Sequence, residues 1–237
     1  MARFRRALPF KTCLLLAALL TGAPASFVSN AFFAAQEKVL PVGEARRLSR
    51  GEVVTIEGTV TVPAGTFKSS LSDEGFALED QSGGIYVSMS VNLRLRVAER
   101  VRVTGRLAQS NNMLVLVPAN AQAVVVRGRA AQVKLLKVST GEVGEQTAGR
   151  LLKVTGIITR PVVNDAPYGF RLFINDRTGE IQVYISASTG IVTSGLRPGR
   201  RISVTGFGGQ YKDHYEIDPR FPADIRGRRR PAPRPAP

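Results

Sequence analysis

From residue 52 onward, hydrophobic and polar positions alternate in short runs. "VVTIEGTVTV" is followed by "FALE", "GIYV", "VRVTGRL" and "MLVLV", with glycine, serine, asparagine and aspartate between the runs. Alternation with period two puts every second side chain on one face, and β-branched residues suit a pleated backbone, so the pattern predicts strands. They fall near 52–62, 75–80, 84–89, 100–107 and 113–117, then near 150–160, 170–175, 180–186, 200–207 and 213–217. Residues 91–98 and 188–195 leave room for a helical turn after the third strand of each set, and 123–126 reads as an extra short strand.

The two sets are copies. "GEARRLSRGEVVTIEGTV" aligns with "GEVGEQTAGRLLKVTGII", so that Gly43, Glu44, Gly51 and Gly58 fall on Gly141, Glu142, Gly149 and Gly156 at one offset. "DQSGGIYV" (80–87) matches "DRTGEIQV" (176–183), "VRVTG" matches "ISVTG", and Pro118 matches Pro219. Matches in fixed order over the whole unit indicate an internal duplication. Five strands with one insertion, in fewer than a hundred residues, predict a small closed barrel in each copy.

The string F-x-L-x-D-x-S-G-G-I-x-V (76–87), followed by V-x-V-T-G (101–105), resembles the OB-fold nucleic-acid-binding modules of the tRNA-anticodon type. It is similar to modules in secreted bacterial nucleases and in extracytoplasmic sensor regions. The resemblance implies an all-β chain of two tandem five-stranded OB-fold barrels, with ligand binding across the second and third strands and the flanking loops.

Charge refines this picture more than composition does. Lys plus Arg outnumber Asp plus Glu by 33 to 18 in 237 residues, a net charge of +15. Four of the basic residues precede residue 36 and five follow residue 225, leaving 24 basic and 18 acidic residues between them. The first segment, "MARFRRALPFKTCLLLAALLTGA", has a basic start, a short apolar run and small-residue sites ending at Ala25 or Ala35, the layout of a secretory signal peptide. The expected organisation is a signal peptide at 1–35, OB-fold repeats at 36–131 and 132–227, and a disordered Arg/Pro tail at 228–237. Localisation is then periplasmic or secreted, with no stable membrane span after cleavage. Cys13, the single cysteine, leaves with the peptide.

The string "DQSGG" invites a reading as a catalytic serine or a phosphate loop. Ser82 becomes Thr178 in the second copy, Gly84 becomes Glu180, and a strand follows where a phosphate loop needs a helix. The phrase reads instead as the hairpin joining strands two and three. Asp80 accepts backbone N–H groups there, and Gly83 supplies a positive φ. His214, Glu216 and Asp218 share a strand face, but their counterparts are Met113, Val115 and Val117, so no metal or other cofactor is expected. No enzyme is expected either, since no acid and base assemble around a nucleophile.

In the second copy Leu172, Ile174, Ile181, Val183 and Ile185 face inward, leaving Arg171, Phe173, Gln182 and Tyr184 outward. Arg160, Phe207, Tyr211 and Lys212 add aromatic and cationic groups from neighbouring strands and loops, as does Tyr168. These aromatics either stack bases or meet the other repeat. The first copy has Tyr86 alone as an outward aromatic, and an arginine ladder at Arg100, Arg102 and Arg106 that either tracks phosphates or is a solvated face. The expected partner is single-stranded nucleic acid or another polyanion; the alternative is an envelope adaptor or sensor module binding a protein or glycan. Mass spectrometry of the protein expressed with its own leader in a bacterial host should find a mature chain beginning at Ser26 or Gln36. Recovery of the intact leader in the membrane fraction would contradict export by cleavage.

Overall fold

The protein is described by a computed structural model covering residues 38–67, 73–130 and 134–227, so the leader and the Arg/Pro tail lie outside the described residues. The first repeat is built of β1 (Val39–Leu40), a single helical turn α1 (Val42–Ala45), β2 (Val53–Val62), β3 (Phe76–Glu79), β4 (Gly84–Val87), β5 (Glu99–Ser110), β6 (Met113–Val117) and β7 (Val124–Arg129); β3 and β4 are buried on both faces. The second repeat follows with β8 (Leu136–Lys137), β9 (Leu151–Ile158), β10 (Val163–Asp165), β11 (Gly169–Asn175), β12 (Glu180–Ser186), β13 (Arg201–Tyr211), β14 (His214–Asp218) and β15 (Ile225–Gly227).

Each repeat closes into a five-stranded barrel. The order β2-β3-β4-β6-β5 is closed by β2 against β5, and β9-β11-β12-β14-β13 is closed by β9 against β13. In both barrels the third strand runs parallel to the fifth, while the other pairs are antiparallel. This is the OB-fold arrangement. Inward positions form two separate cores. Ile56, Phe76, Leu78, Ile85, Val103 and Leu116 lie in the first; Leu172, Ile174, Val183, Ile185, Val204 and Ile217 lie in the second. The extra strand proposed at 123–126 is β7. Among the described residues, no helix is long and apolar enough to cross a membrane.

The helical turn expected after the third strand forms only in the second repeat, as a 3-10 turn at Ala187–Thr189. In the first repeat the Asn92 side-chain oxygen accepts the Arg94 N–H at 2.8 Å, and Arg94 and Ala98 take positive φ. That local bond competes with a helical one. Leu95 still fills the barrel end, as Ile191 does in the second repeat.

The repeated phrase is a clasp as well as a hairpin. Asp80 accepts the N–H groups of Ser82 and Gly83 across its own turn, at 2.8 and 3.0 Å, and that of Val42 at the start of α1, at 2.9 Å. Ser82 Oγ donates to Asp80 and accepts the Gly43 N–H. Asp176, Thr178, Thr140 and Gly141 repeat this set, and the hydroxyls of Thr140 and Thr178 hold the Asp176 carboxyl far below the usual carboxylate range. Gly83 does not have the expected positive φ. It is small because Gly43 passes beside it, with the Gly43 Cα 3.3 Å from where a Cβ would stand.

Gly84, replaced by Glu180 in the second copy, serves a different neighbour. A Cβ on Gly84 would lie 2.0 Å from the carbonyl oxygen of Gly149, in the turn that enters β9. The two barrels touch backbone to backbone at this point. Gly84→Ala should therefore lower stability by about 2–4 kcal/mol in denaturant titration, because neither backbone can yield alone. Glu180→Ala, at the matching solvent-facing position, should cost at most about 1 kcal/mol. Equal effects of the two changes would contradict the close approach.

Candidate ligand-binding face

The outer surface of strands two and three, where a ligand is expected, has opposite fates in the two barrels. In the first barrel Val62, Ala77, Tyr86 and Val115 form a small apolar platform, and Phe207 of the second barrel sits on it. Its ring centroid is 6.0 Å from that of Tyr86 and 6.4 Å from that of Phe67, and Phe207 and Tyr86 retain only 2% and 6% exposure. Tyr86 and Phe207 are therefore buried joint residues, not open stacking rings. Burial, with Asp73 beside it, also pushes the Tyr86 hydroxyl far up.

Polar bonds ring this contact. Buried Glu79 accepts the Leu151 N–H at 2.9 Å. Arg220, ion-paired with Asp224, donates to the Thr61 carbonyl. At the rim, the Lys212 N–H donates to Asn111 O at 2.7 Å, and Asn112 Nδ2 donates to Lys212 O at 2.9 Å. Arg46 reaches Glu145 at 3.3 Å, and Glu145 accepts the Tyr215 hydroxyl.

The matching face of the second barrel is half-exposed at Arg171, Phe173, Gln182 and Tyr184, while Glu216 and Phe207 at its other end are buried. Strand register sets out one row of Phe173, Gln182, Glu216 and Gly209, and beside it Arg171 opposite Tyr184 and Asp218 opposite Phe207. The Arg160 guanidinium stacks 3.8 Å from the Phe173 ring centroid and pairs with Glu180. Arg171 and the Tyr184 hydroxyl both reach Asp165, at 3.4 Å each. At the far rim Lys212 Nζ lies 5.2 Å from the Tyr211 ring, which meets His214 edge-on. Arg160, Arg171, Phe173, Tyr184, Tyr211 and Lys212 thus occupy one side of one barrel, and Tyr168 is exposed nearby.

The arginine ladder does share a face of β5, but most of it is already partnered. Glu57, on the adjacent strand opposite Arg102, binds Arg100 at 2.8 Å and Arg102 at 2.9 Å. Arg106 donates to the Gly51 carbonyl. Reading β5 by itself could not reveal the acid across from it.

The expected ligand-binding set did not include the acidic side of this face, although its residues are expected to share a strand face. His214, Glu216 and Asp218 share a face, as their spacing requires, and Gln182 donates to Glu216 at 2.6 Å. Burial raises the Glu216 carboxyl. Burial, then the neighbouring Glu216, raises Asp218 well above the usual range, and Asp218 Oδ1 has no hydrogen-bond partner. Burial and Asp165 push the Tyr184 hydroxyl up to about 12.

No family model matches the chain, and no curated protein matches it by sequence. Some solved structures align with about three quarters of the chain. A murine DNA-binding protein bound to double-stranded DNA aligns with a TM-score of 0.39 and 12% identity, over 75% of this chain and 97% of its own. The Ifi202 HINa domain, in complex with 20-base-pair double-stranded DNA, gives 0.35 and 13%, over 76% and 97%. A deletion mutant of the single-stranded DNA-binding protein from Thermus aquaticus gives 0.28 and 15%, over 76% and 96%. The barrel assignment rests on the strand order and closure of this chain itself.

A buried carboxyl that holds its proton more tightly folded than unfolded stabilises the fold at low pH. That contribution is lost as pH rises past the unfolded value of about 4. Asp218→Asn should accordingly raise the melting temperature at about pH 7.5 and change it little at about pH 4. An equal shift at both pH values, read by thermal unfolding, would contradict a protonated Asp218.

Proposed function

We propose that this protein is an exported, non-catalytic binding protein that holds single-stranded nucleic acid on the outer face of its second barrel. The observation that carries the reading is the pairing of aromatic rings with arginines on that face: Phe173 under Arg160, and Tyr184 beside Arg171. Every base has a π-face, so such rings bind without reading sequence, and the guanidinium planes add cation–π contacts. The equivalent surface of the first barrel is occupied by Phe207, which leaves one face for a ligand.

The non-catalytic part is supported by the fate of Ser82. Its hydroxyl is committed to Asp80 and to the Gly43 N–H within a hairpin clasp. The leader sequence supports export.

A second reading, an envelope adaptor for a protein or glycan, is favoured by Asp165 on the same face, since its carboxylate suits a ligand rich in hydrogen-bond donors.

Each stacked base is worth about 1–3 kcal/mol. The double change Phe173→Ala with Tyr184→Ala should therefore weaken binding of a labelled single-stranded oligonucleotide by about 30-fold or more, measured by fluorescence anisotropy. Unchanged affinity in the double variant would overturn this assignment of the face, and no binding by the wild type at low salt would select the adaptor.

A further inference from the structure

A comparison of the same surface in the two repeats exposes a second site. On the outer side of the first barrel, Glu57 of β2 neutralises Arg100 and Arg102 of β5. In the second barrel Arg201 stands where Arg100 stands, and Thr155 where Glu57 stands. The carboxylate has gone and the cation has stayed. Two more cations join it: Lys153 replaces Thr55, and Lys137 lies opposite Lys153 on the short parallel strand β8.

These side chains line an open hollow of about 430 Å³, with Ser139, Thr155 and Asp176 at its walls. Among the described residues, Lys137, Lys153 and Arg201 form no ion pair. The two nearby acids, Asp176 on the wall and Glu142 beside it, already accept hydrogen bonds from the chain's own donors. Asp176 is held by the hydroxyls and N–H groups of Thr140 and Thr178, and Glu142 by the N–H and hydroxyl of Ser139. Arg226, opposite Ser203, extends the same basic strip. Strand spacing and rise put the Lys153 and Arg201 backbones roughly 14 Å apart, which suits an extended chain of anionic groups better than a single small anion.

We infer that this hollow is a phosphate-contact site for the backbone of a nucleic-acid strand. It is separate from the stacking face and lies on the β8–β9–β13 side of the second barrel. The inference rests on the nucleic-acid reading above. It assigns to Lys137, Lys153 and Arg201 the electrostatic role that the arginines of the first barrel have given up to Glu57. The Thr155 hydroxyl, on the same wall, is placed to donate to the same phosphate oxygens.

The test uses the mature full chain and an oligothymidylate probe, with affinity measured from low to moderate salt. The double change Lys153→Gln with Arg201→Gln should weaken binding about tenfold at low salt and flatten the slope of log affinity against log salt by about 1.4, two phosphate contacts on a single strand. Thr155→Glu, which rebuilds the acid of the first repeat, should flatten it by about 0.7 or more. The reciprocal Glu57→Thr releases Arg100 and Arg102 and should steepen the slope. These positions lie on the outer side of the barrels, and unchanged thermal unfolding verifies that the variants are folded. If the wild type binds and the Lys153/Arg201 variant keeps its affinity and slope, the hollow is not a contact, while the stacking face stands. If the wild type does not bind at any salt, both readings fall. If the variant keeps the oligonucleotide but loses retention on phosphatidylglycerol vesicles, the hollow is a membrane contact and the inference is overturned.

Discussion

The seating of Phe207 on the first barrel is the contact on which the rest of the arrangement depends. It buries a large ring among Val62, Ala77, Tyr86 and Val115, and full burial of such a ring is worth several kcal/mol against its truncation. The ring reaches that platform only because Gly84 and Gly149 let two backbones meet and because Ala77 and Ala108 are small. Once the barrels are joined in this way, one of two equivalent faces is lost to solvent. Lys212, at the loop tip beside the other face, is tied to Asn111 and Asn112 of the first barrel.

Duplication supplied two equal scaffolds, and substitutions at matching positions divided the work. Tyr86 and Val115 face a neighbouring barrel; in the same places stand a half-exposed Gln182 and a buried Glu216 that bond to each other. Gly84 admits the Gly149 backbone, while Glu180 anchors Arg160 over Phe173. Glu57 silences two arginines, and Thr155 leaves Arg201 open. The Asp-x-Ser/Thr-Gly clasp is kept in both repeats and fixes the hairpin to the segment before the first strand.

What could be read from the sequence was local. The strands, their inward faces and the hairpin followed from period-two alternation and from turn residues, whose physics spans a few positions. The Asp80 and Asp176 clasps were half visible, because the hairpin bonds are short-range but those to Val42 and Thr140 cross nearly forty residues. What was missed needed a partner from elsewhere in the chain. The opposing Glu57 changed the meaning of the ladder, and the first barrel changed that of Phe207 and Tyr86. Gly83 shows the same limit on a smaller scale. A glycine suits that position through its tight approach to Gly43 and not through its dihedral angle.

A tandem barrel with one covered face and one open face makes a direct demand on any footprint. Hydrogen–deuterium exchange of the full chain, with and without a single-stranded oligonucleotide, is the measurement that meets it. Slowed exchange across β11, β12 and the 209–214 loop, with β3 and β4 unchanged, is the expected result. Protection of β3 and β4 in place of β11 and β12 would mean that the first barrel's face is available after all, and would contradict the arrangement described above.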